Sequence, residues 1–390
     1  TNGQINAQSF NADIAGQLDN TRGKISVVGN GAIQAGSMVA TKGHFQSTNG
    51  NFTLDSNGDI FMLDTQVMAT QGTAKVHAKG DLTWRASANE TSQQNTRTGD
   101  GQLVQTTESS TTTAQTTWHN SGIQAKDIDM LAEGDMKLGV VDFKGTDSVT
   151  MHTQKDLIFE KETGKIRSQT HTTETTFELV CSFFRDVDDP SCNLTPFTTD
   201  ERSQTQGTTS AGTDIQGGGK VMVTAGGNIR GKDPEPIDPN DPNSKLFKPG
   251  TKVNIHGGQV SLLAGGSIDL NSTQTYTRTQ TGSDVRQSLQ TERSSLTAQG
   301  NVTVFGKQSV QMDATDVTAT TGKASVRSEG NVSLGFNTDT EQHNWTTSST
   351  RRSAGGLKKT TTTTEHETQD KTAEVTHITG NQVEVRGQNV

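Results

Sequence analysis

From Gly300 onward, apolar and polar positions alternate, and the alternation then repeats. Gly300-Asn-Val302-Thr-Val304 is followed by Val310-Gln-Met312 and Val317, and the pattern restarts at Gly322 with Ala324, Val326, Val332 and Leu334. Equivalent positions lie 22 residues apart, as in 302 to 324 and 310 to 332. A two-residue period predicts half-buried strands. The Gly, Lys, Asn and Asp residues between the pieces predict corners. Three short strands that recur in register predict one coil of a β-solenoid.

The same template runs along the chain. The first strand recurs at Phe52/Leu54, Ala74/Val76, Ile128/Met130, Val149/Met151, Val221/Val223, Val260/Leu262 and Val383/Val385. The second recurs at Ile60/Met62, Leu82/Trp84, Met136/Leu138, Leu157/Phe159, Ile229 and Ile268/Leu270. For the third, the spacing selects Leu18, Phe45, Val67, Val317 and Val375. About ten coils of about 21–22 residues start near Ile25, while the first 20 residues are too irregular to assign. Long insertions at 86–121, 160–214, 231–252, 271–295 and 335–374 all fall between the second strand and the third. Equivalent positions of a solenoid stack, so all five should emerge from one edge of the rod. The expected fold is all-β: a single right-handed parallel β-helix over 1–390, with long insertions along one edge.

Four insertions read as β-hairpins of alternating Thr, Ser, Gln and Arg. Three have turn signals near the midpoint, at Asp100-Gly101, Gly282-Ser283 and Gly355-Gly356, where Gly accepts positive φ. The midpoint of the fourth lies between Cys181 and Cys192, the only cysteines. A disulfide there would close a short loop, worth about 2–3 kcal/mol, and would require an oxidising compartment; two free thiols are the alternative. The same insertion holds Phe177, Phe183, Phe184 and Phe197 among other apolar residues. They form either a sticky tip for a partner or membrane surface, or a small satellite core. The Pro-rich, acidic stretch Lys232 to Gly250 reads as an extended loop.

Composition sharpens this picture. Only 28% of the 390 residues are apolar, and Leu, Ile, Val and Phe together number 72. That fraction verges on the disordered range, but the net charge of -9 is mild for this length,. The few large apolar residues suffice if they are concentrated in the coils. No stretch approaches the ~20 apolar residues of a transmembrane helix. The polar start, Thr1 to Gln8, is unlike a signal peptide and suits an internal segment of a longer chain. A pI near 5.5 argues against a nucleic-acid partner,.

A search for chemistry finds little. Glycan-cleaving β-helices need carboxylates converging on one face. Asp127 and Asp129 flank Ile128, with Asp142 nearby, but the next coil offers Ser148 and Thr150 in their place. Asp233, Glu235, Asp238 and Asp241 lack regular calcium-ligand spacing, and the nine histidines lack zinc spacing. The expectation is no catalysis, no metal and no cofactor. Arg351, Arg352, Lys358 and Lys359 bracket a Gly-Gly turn and form a basic tip suited to an anionic surface, or simply to solvent.

Gly218-Gly-Lys-Val-Met-Val-Thr-Ala-Gly-Gly-Asn-Ile229 and Gly257-Gly-Gln-Val-Ser-Leu-Leu-Ala-Gly-Gly-Ser-Ile-Asp-Leu270 resemble coils of filamentous haemagglutinin-like two-partner-secretion exoproteins. The block Arg351-Arg-Ser-Ala-Gly-Gly-Leu-Lys-Lys-Thr-Thr-Thr-Thr-Thr364 resembles the second haemagglutinin-repeat block of contact-dependent growth inhibition effectors. The resemblance implies a bacterial secreted or cell-surface protein that passes through the periplasm and is exported by an outer-membrane partner protein. In that branch such a block helps carry a C-terminal toxin across the target cell's outer membrane, where that membrane or an envelope protein is its partner. An adhesin that binds host glycan or protein is the second reading, and a polysaccharide-active enzyme the third.

Overall fold

A computed structural model describes residues 2–99, 105–160, 162–181, 192–231, 252–353 and 358–390, with side chains described outside 98–107, 161–163, 176–197, 232–251 and 352–358. Parallel strands stack in register into a β-solenoid. The third-strand ladder runs Ile5, Ile25, Phe45, Val67, Ile123, Phe143, Ile215, Ile255, Leu296, Val317 and Ile378. The first-strand ladder runs beside it, for example Ile33 on Leu54 on Val76 on Met130 on Met151. Each strand turns alternate side chains inward, so a narrow column of apolar residues fills the rod,. Its widest members are Trp84, Phe45, Phe52, Phe143 and Phe159. Trp84 meets Phe143 edge-on at 5.7 Å, and Phe45 meets Phe52 at 5.6 Å, a geometry in which ring edges face ring faces.

The expected start of the solenoid is corrected. Gln4–Ala7 pairs with Lys24–Val27, and Phe10–Asp19 pairs with Gly31–Thr41, which adds a coil below Ile25. Nothing stacks beneath this end coil, so Ile5 is 39% exposed and the apolar pattern there is thin. Leu18 belongs to the second strand, against Met38. Val375 lies in a hairpin opposite Phe336, and the third-strand position is Ile378. The long insertion before Ile378 had hidden that register.

Polar side chains hold the corners. Asp59, Asp81, Asp135 and Asp156 each accept a hydrogen bond from a backbone N–H one coil on, at Asp81, Asp135, Asp156 and Asn228, over 2.8–3.2 Å. Asn30, Asn51 and Asn301 do the same for Asn51, Thr73 and Lys323. Each such bond satisfies a donor that the turn leaves without a strand partner. For Asp81, partial burial pushes the carboxyl up, but the Asp135 N–H and Lys137 outweigh it and hold the group below its ordinary value.

The corner between second and third strand takes two forms. Where the chain turns directly, one residue adopts a left-handed conformation: Arg22, Lys42, Asp64, Val140 and Ala314, with φ of 50–55°. At the other coils the five insertions leave from this corner. Left-handed backbone costs about 1–3 kcal/mol for a non-glycine residue, and is least suited to a β-branched one such as Val140. The insertions therefore replace a strained corner.

Candidate interaction surface

Four insertions form hairpins, as the sequence predicts: Ala88–Gly99 with Gln105–Trp118, Glu162–Cys181 with Cys192–Ala211, Thr273–Thr281 with Asp284–Glu292, and Asn331–Ser353 with Lys358–Val375. In the third, Gly282-Ser283 makes the turn with Gly282 at φ +57°, the conformation that glycine accepts most readily. The other two turn dipeptides lie outside the described residues, as does most of the Pro-rich loop with Asp233, Glu235, Asp238 and Asp241.

The hairpins do not stand apart. Gln105–Gln115 pairs with Ile166–Thr176, Ser203–Gly207 with Thr277–Thr281, and Val285–Leu289 with Thr340–Asn344, each antiparallel. Eight strands thus form one antiparallel sheet along the edge of the rod. The hairpins leave after Arg85, Glu160, Asn271 and Gly335, which stand at every second level of the second-strand ladder. A hairpin is two strands wide, and strands in both sheets are spaced about 4.8 Å apart. Two coils of rod therefore match the width of one hairpin.

Over Glu108–Trp118 and 198–209 the described side chains are half-buried or exposed on both faces, so this part of the sheet has no apolar core of its own. Hydroxyl pairs bridge neighbouring strands at 3.0–3.4 Å, as in Thr111–Thr170, Thr205–Thr279 and Thr281–Ser203. Such cross-strand contacts each add a few tenths to about 1 kcal/mol. One apolar pair, Tyr276 opposite Leu289, is buried near the rod.

Charged clamps fix the hairpin roots. Arg85 grips the buried Glu160 through both carboxylate oxygens, one at 2.6 Å. Arg293 is bidentate to Asp316 at 2.8 and 2.6 Å and also reaches Glu374 at 3.1 Å and the Val375 carbonyl at 2.7 Å. Asp316, then Glu374, raise the Arg293 pKa further against partial burial. At the first hairpin, Trp84 Nε1 donates to Ser121 Oγ at 3.0 Å, and Ser121 donates to the Arg85 carbonyl at 3.0 Å.

Further out, Trp345 stacks on His343 at 4.3 Å and on His366 at 4.8 Å, while Asp284 accepts from His343 at 2.9 Å. Two grooves follow the joints between hairpins: one of about 600 Å³ beside Arg202 and Gln280, and one of about 420 Å³ beside Arg286, Glu341, His343 and Asp370.

The backbone register places Cys181 directly opposite Cys192, and Phe177 opposite Pro196 beside Phe197. The side chains of these four residues, and Phe183 and Phe184 altogether, lie outside the described residues. Arg351 and Lys359 are exposed near the fourth tip, where Arg352 pairs with Lys359 and Ser353 with Lys358; the Arg352 and Lys358 side chains are likewise not described.

The carboxylates considered for catalysis disperse. Asp127 accepts from Ser148 at 2.5 Å. Asp129 accepts from His77 at 3.2 Å, and this bond, against partial burial, holds it below its ordinary value. Asp142 instead stacks on Asp214. Crowding by adjacent coils, then the Asp142 charge, raises the Asp214 carboxyl, although its residue remains exposed. The 72-residue separation of this pair, imposed by the second hairpin, concealed it in the sequence. Among the described residues, no group of three or more His, Cys, Asp or Glu is placed to hold a metal ion.

Fold and surface together define a β-solenoid carrying an edge-mounted antiparallel sheet. Residues 197–290 match the hemagglutinin repeat family. This span takes in the returning strand of the second hairpin, two coils, and most of the third hairpin. It includes both coil segments that carry the resemblance, and excludes the block at 351–364. The match supports a filamentous haemagglutinin-like, secreted repeat protein. Neither a curated protein nor a solved structure matches the chain significantly.

Proposed function

We propose that this chain is a non-catalytic segment of a secreted bacterial surface exoprotein, exported by an outer-membrane partner. In this reading its rod and edge sheet help deliver a C-terminal toxin across the outer membrane of a contacted cell. The observation that carries the reading is the hemagglutinin-repeat match, which spans one hairpin-to-hairpin period of the structure. A rod sets reach, and a polar sheet on one edge offers a long surface for envelope components without a catalytic centre. Deleting this block from the full exoprotein should leave attachment to target cells intact and abolish killing.

The second reading is an adhesin stalk for host glycan or protein. The grooves beside Trp345, Arg286 and Glu341 favour it. Loss of attachment in the same deletion would select it. Cleavage of acidic glycans by purified protein would sink both.

A further inference from the structure

The edge sheet ends on Lys358–Val375, an 18-residue strand that pairs with Asn331–Ser353 on one side and, among the described residues, with nothing on the other. Its register is continuous from Phe336/Val375 to Ser353/Lys358, without a bulge, and it contains no proline. Bulges and prolines are the usual guards of a sheet edge. Residues 359–365 and 367–373 are exposed.

The hydrogen-bond phase identifies the free groups. Thr376 N donates to the Gly335 carbonyl at 3.1 Å, in the register of the hairpin. Even-numbered residues of the strand therefore point their N–H and C=O inward, and odd-numbered ones point outward. An antiparallel partner must satisfy the outward groups of Thr361, Thr363, Glu365, Glu367, Gln369 and Lys371.

We propose that this edge is an interface with a second copy of the chain, strand against identical strand about a two-fold axis at Thr368. In that register Glu365 faces Lys371 of the copy, and His366 faces Asp370 of the copy. Symmetry makes each contact twice, and residues 361–375 are all paired. The outward phase allows only shifts of two residues in the pairing. Shifts toward the tip set Glu367 against Glu367, then Glu365 against Glu367. Shifts the other way shorten the overlap, and the second sets Asp370 against Asp370. Like charges directly opposite disfavour a pairing, so the charge pattern selects the Thr368-centred register.

The test is sedimentation of the purified chain over a concentration series. A dimer is expected. Gln369→Pro removes an outward N–H that the hairpin does not use, so it should give a monomer with unchanged melting temperature. Glu365→Lys and Lys371→Glu should each weaken the dimer about tenfold, and the double variant should restore it. A wild-type monomer at every concentration, a dimer that survives Gln369→Pro, or failure of the double reversal to restore pairing overturns the proposal.

Discussion

The two-coil spacing of the hairpins can be broken by one coil. Duplicating residues 300–321 would add a level between the third and fourth hairpins, because Val302 stacks on Ala324 in the rod. The fourth hairpin would rise by about 4.8 Å, one strand spacing. Its joint with the third consists of five residue pairs, Val285–Leu289 with Thr340–Asn344. Asp339 also accepts from Thr291 N and Oγ1 at 2.8 and 2.6 Å, and Gln274 donates to the Thr338 carbonyl at 2.9 Å. At 0.2–1 kcal/mol per cross-strand pair, the five pairs contribute roughly 1–5 kcal/mol. The Asp339 bonds add about 1.5–3 kcal/mol each, as hydrogen bonds to a charged group. None of these contacts can span a doubled gap. Hydrogen exchange by mass spectrometry should show protection lost at 285–289 and 340–344 and kept in the coils. Duplicating residues 23–42, below the first hairpin, adds similar length and should leave the sheet protected. Retained protection at the opened joint would refute the view that the rod's spacing sets the sheet.

Three further outcomes follow from named residues. Val140→Gly should raise stability by about 1 kcal/mol in thermal unfolding, because glycine accepts the φ of 53° that valine resists,. Arg293→Ala strips Asp316, Glu374 and the Val375 carbonyl of their shared donor; it should cost about 2–3 kcal/mol and raise exchange at the base of the fourth hairpin. Asp214→Asn should stabilise the chain at pH 7 by about 0.2–1 kcal/mol by removing the like charge beside Asp142,. The sign follows from the raised carboxyl: its charged form costs stability above the folded pKa, and the cost fades as pH falls through that value. The gain should therefore shrink on acidification in paired chemical-denaturation curves.

The coils were legible because two-residue alternation is local, and a 22-residue repeat shows it many times over. Ile378 was misplaced as Val375 because a 40-residue insertion precedes it and the hairpin itself alternates. Leu18 was misplaced because an end coil, packed from one side only, carries too few apolar residues to mark its strands. Hairpin identity and the Gly282 turn could be read from turn chemistry. Their lateral pairing into one sheet was not fixed by any local pattern, since every hairpin alternates polar residues that suit many registers. The Asp142–Asp214 stack and the Trp345 cluster were hidden for a related reason. Their members meet only once coils and hairpins are in register.

That weak local specification bears on how the polar sheet keeps one arrangement. Alternating Thr and Gln strands can slip by two residues with little loss, so the hairpins themselves select a register poorly. The rod supplies what they lack. Its ladders fix where each hairpin leaves, to within one strand spacing, and Arg85–Glu160 and Arg293–Asp316–Glu374 pin the roots. The strained left-handed corner explains why insertions gather where they do, since a departing hairpin relieves it at no loss to the apolar column. Large apolar residues can then be reserved for the rod, and a sequence that averages close to the disordered range folds as a thin core with a polar sheet held to it by spacing. On this argument sheet order should decline from root to tip within each hairpin, because register information enters only at the rod. Exchange protection should follow distance from the root, in contrast to Thr content, which is high along the whole of Lys358–Val375.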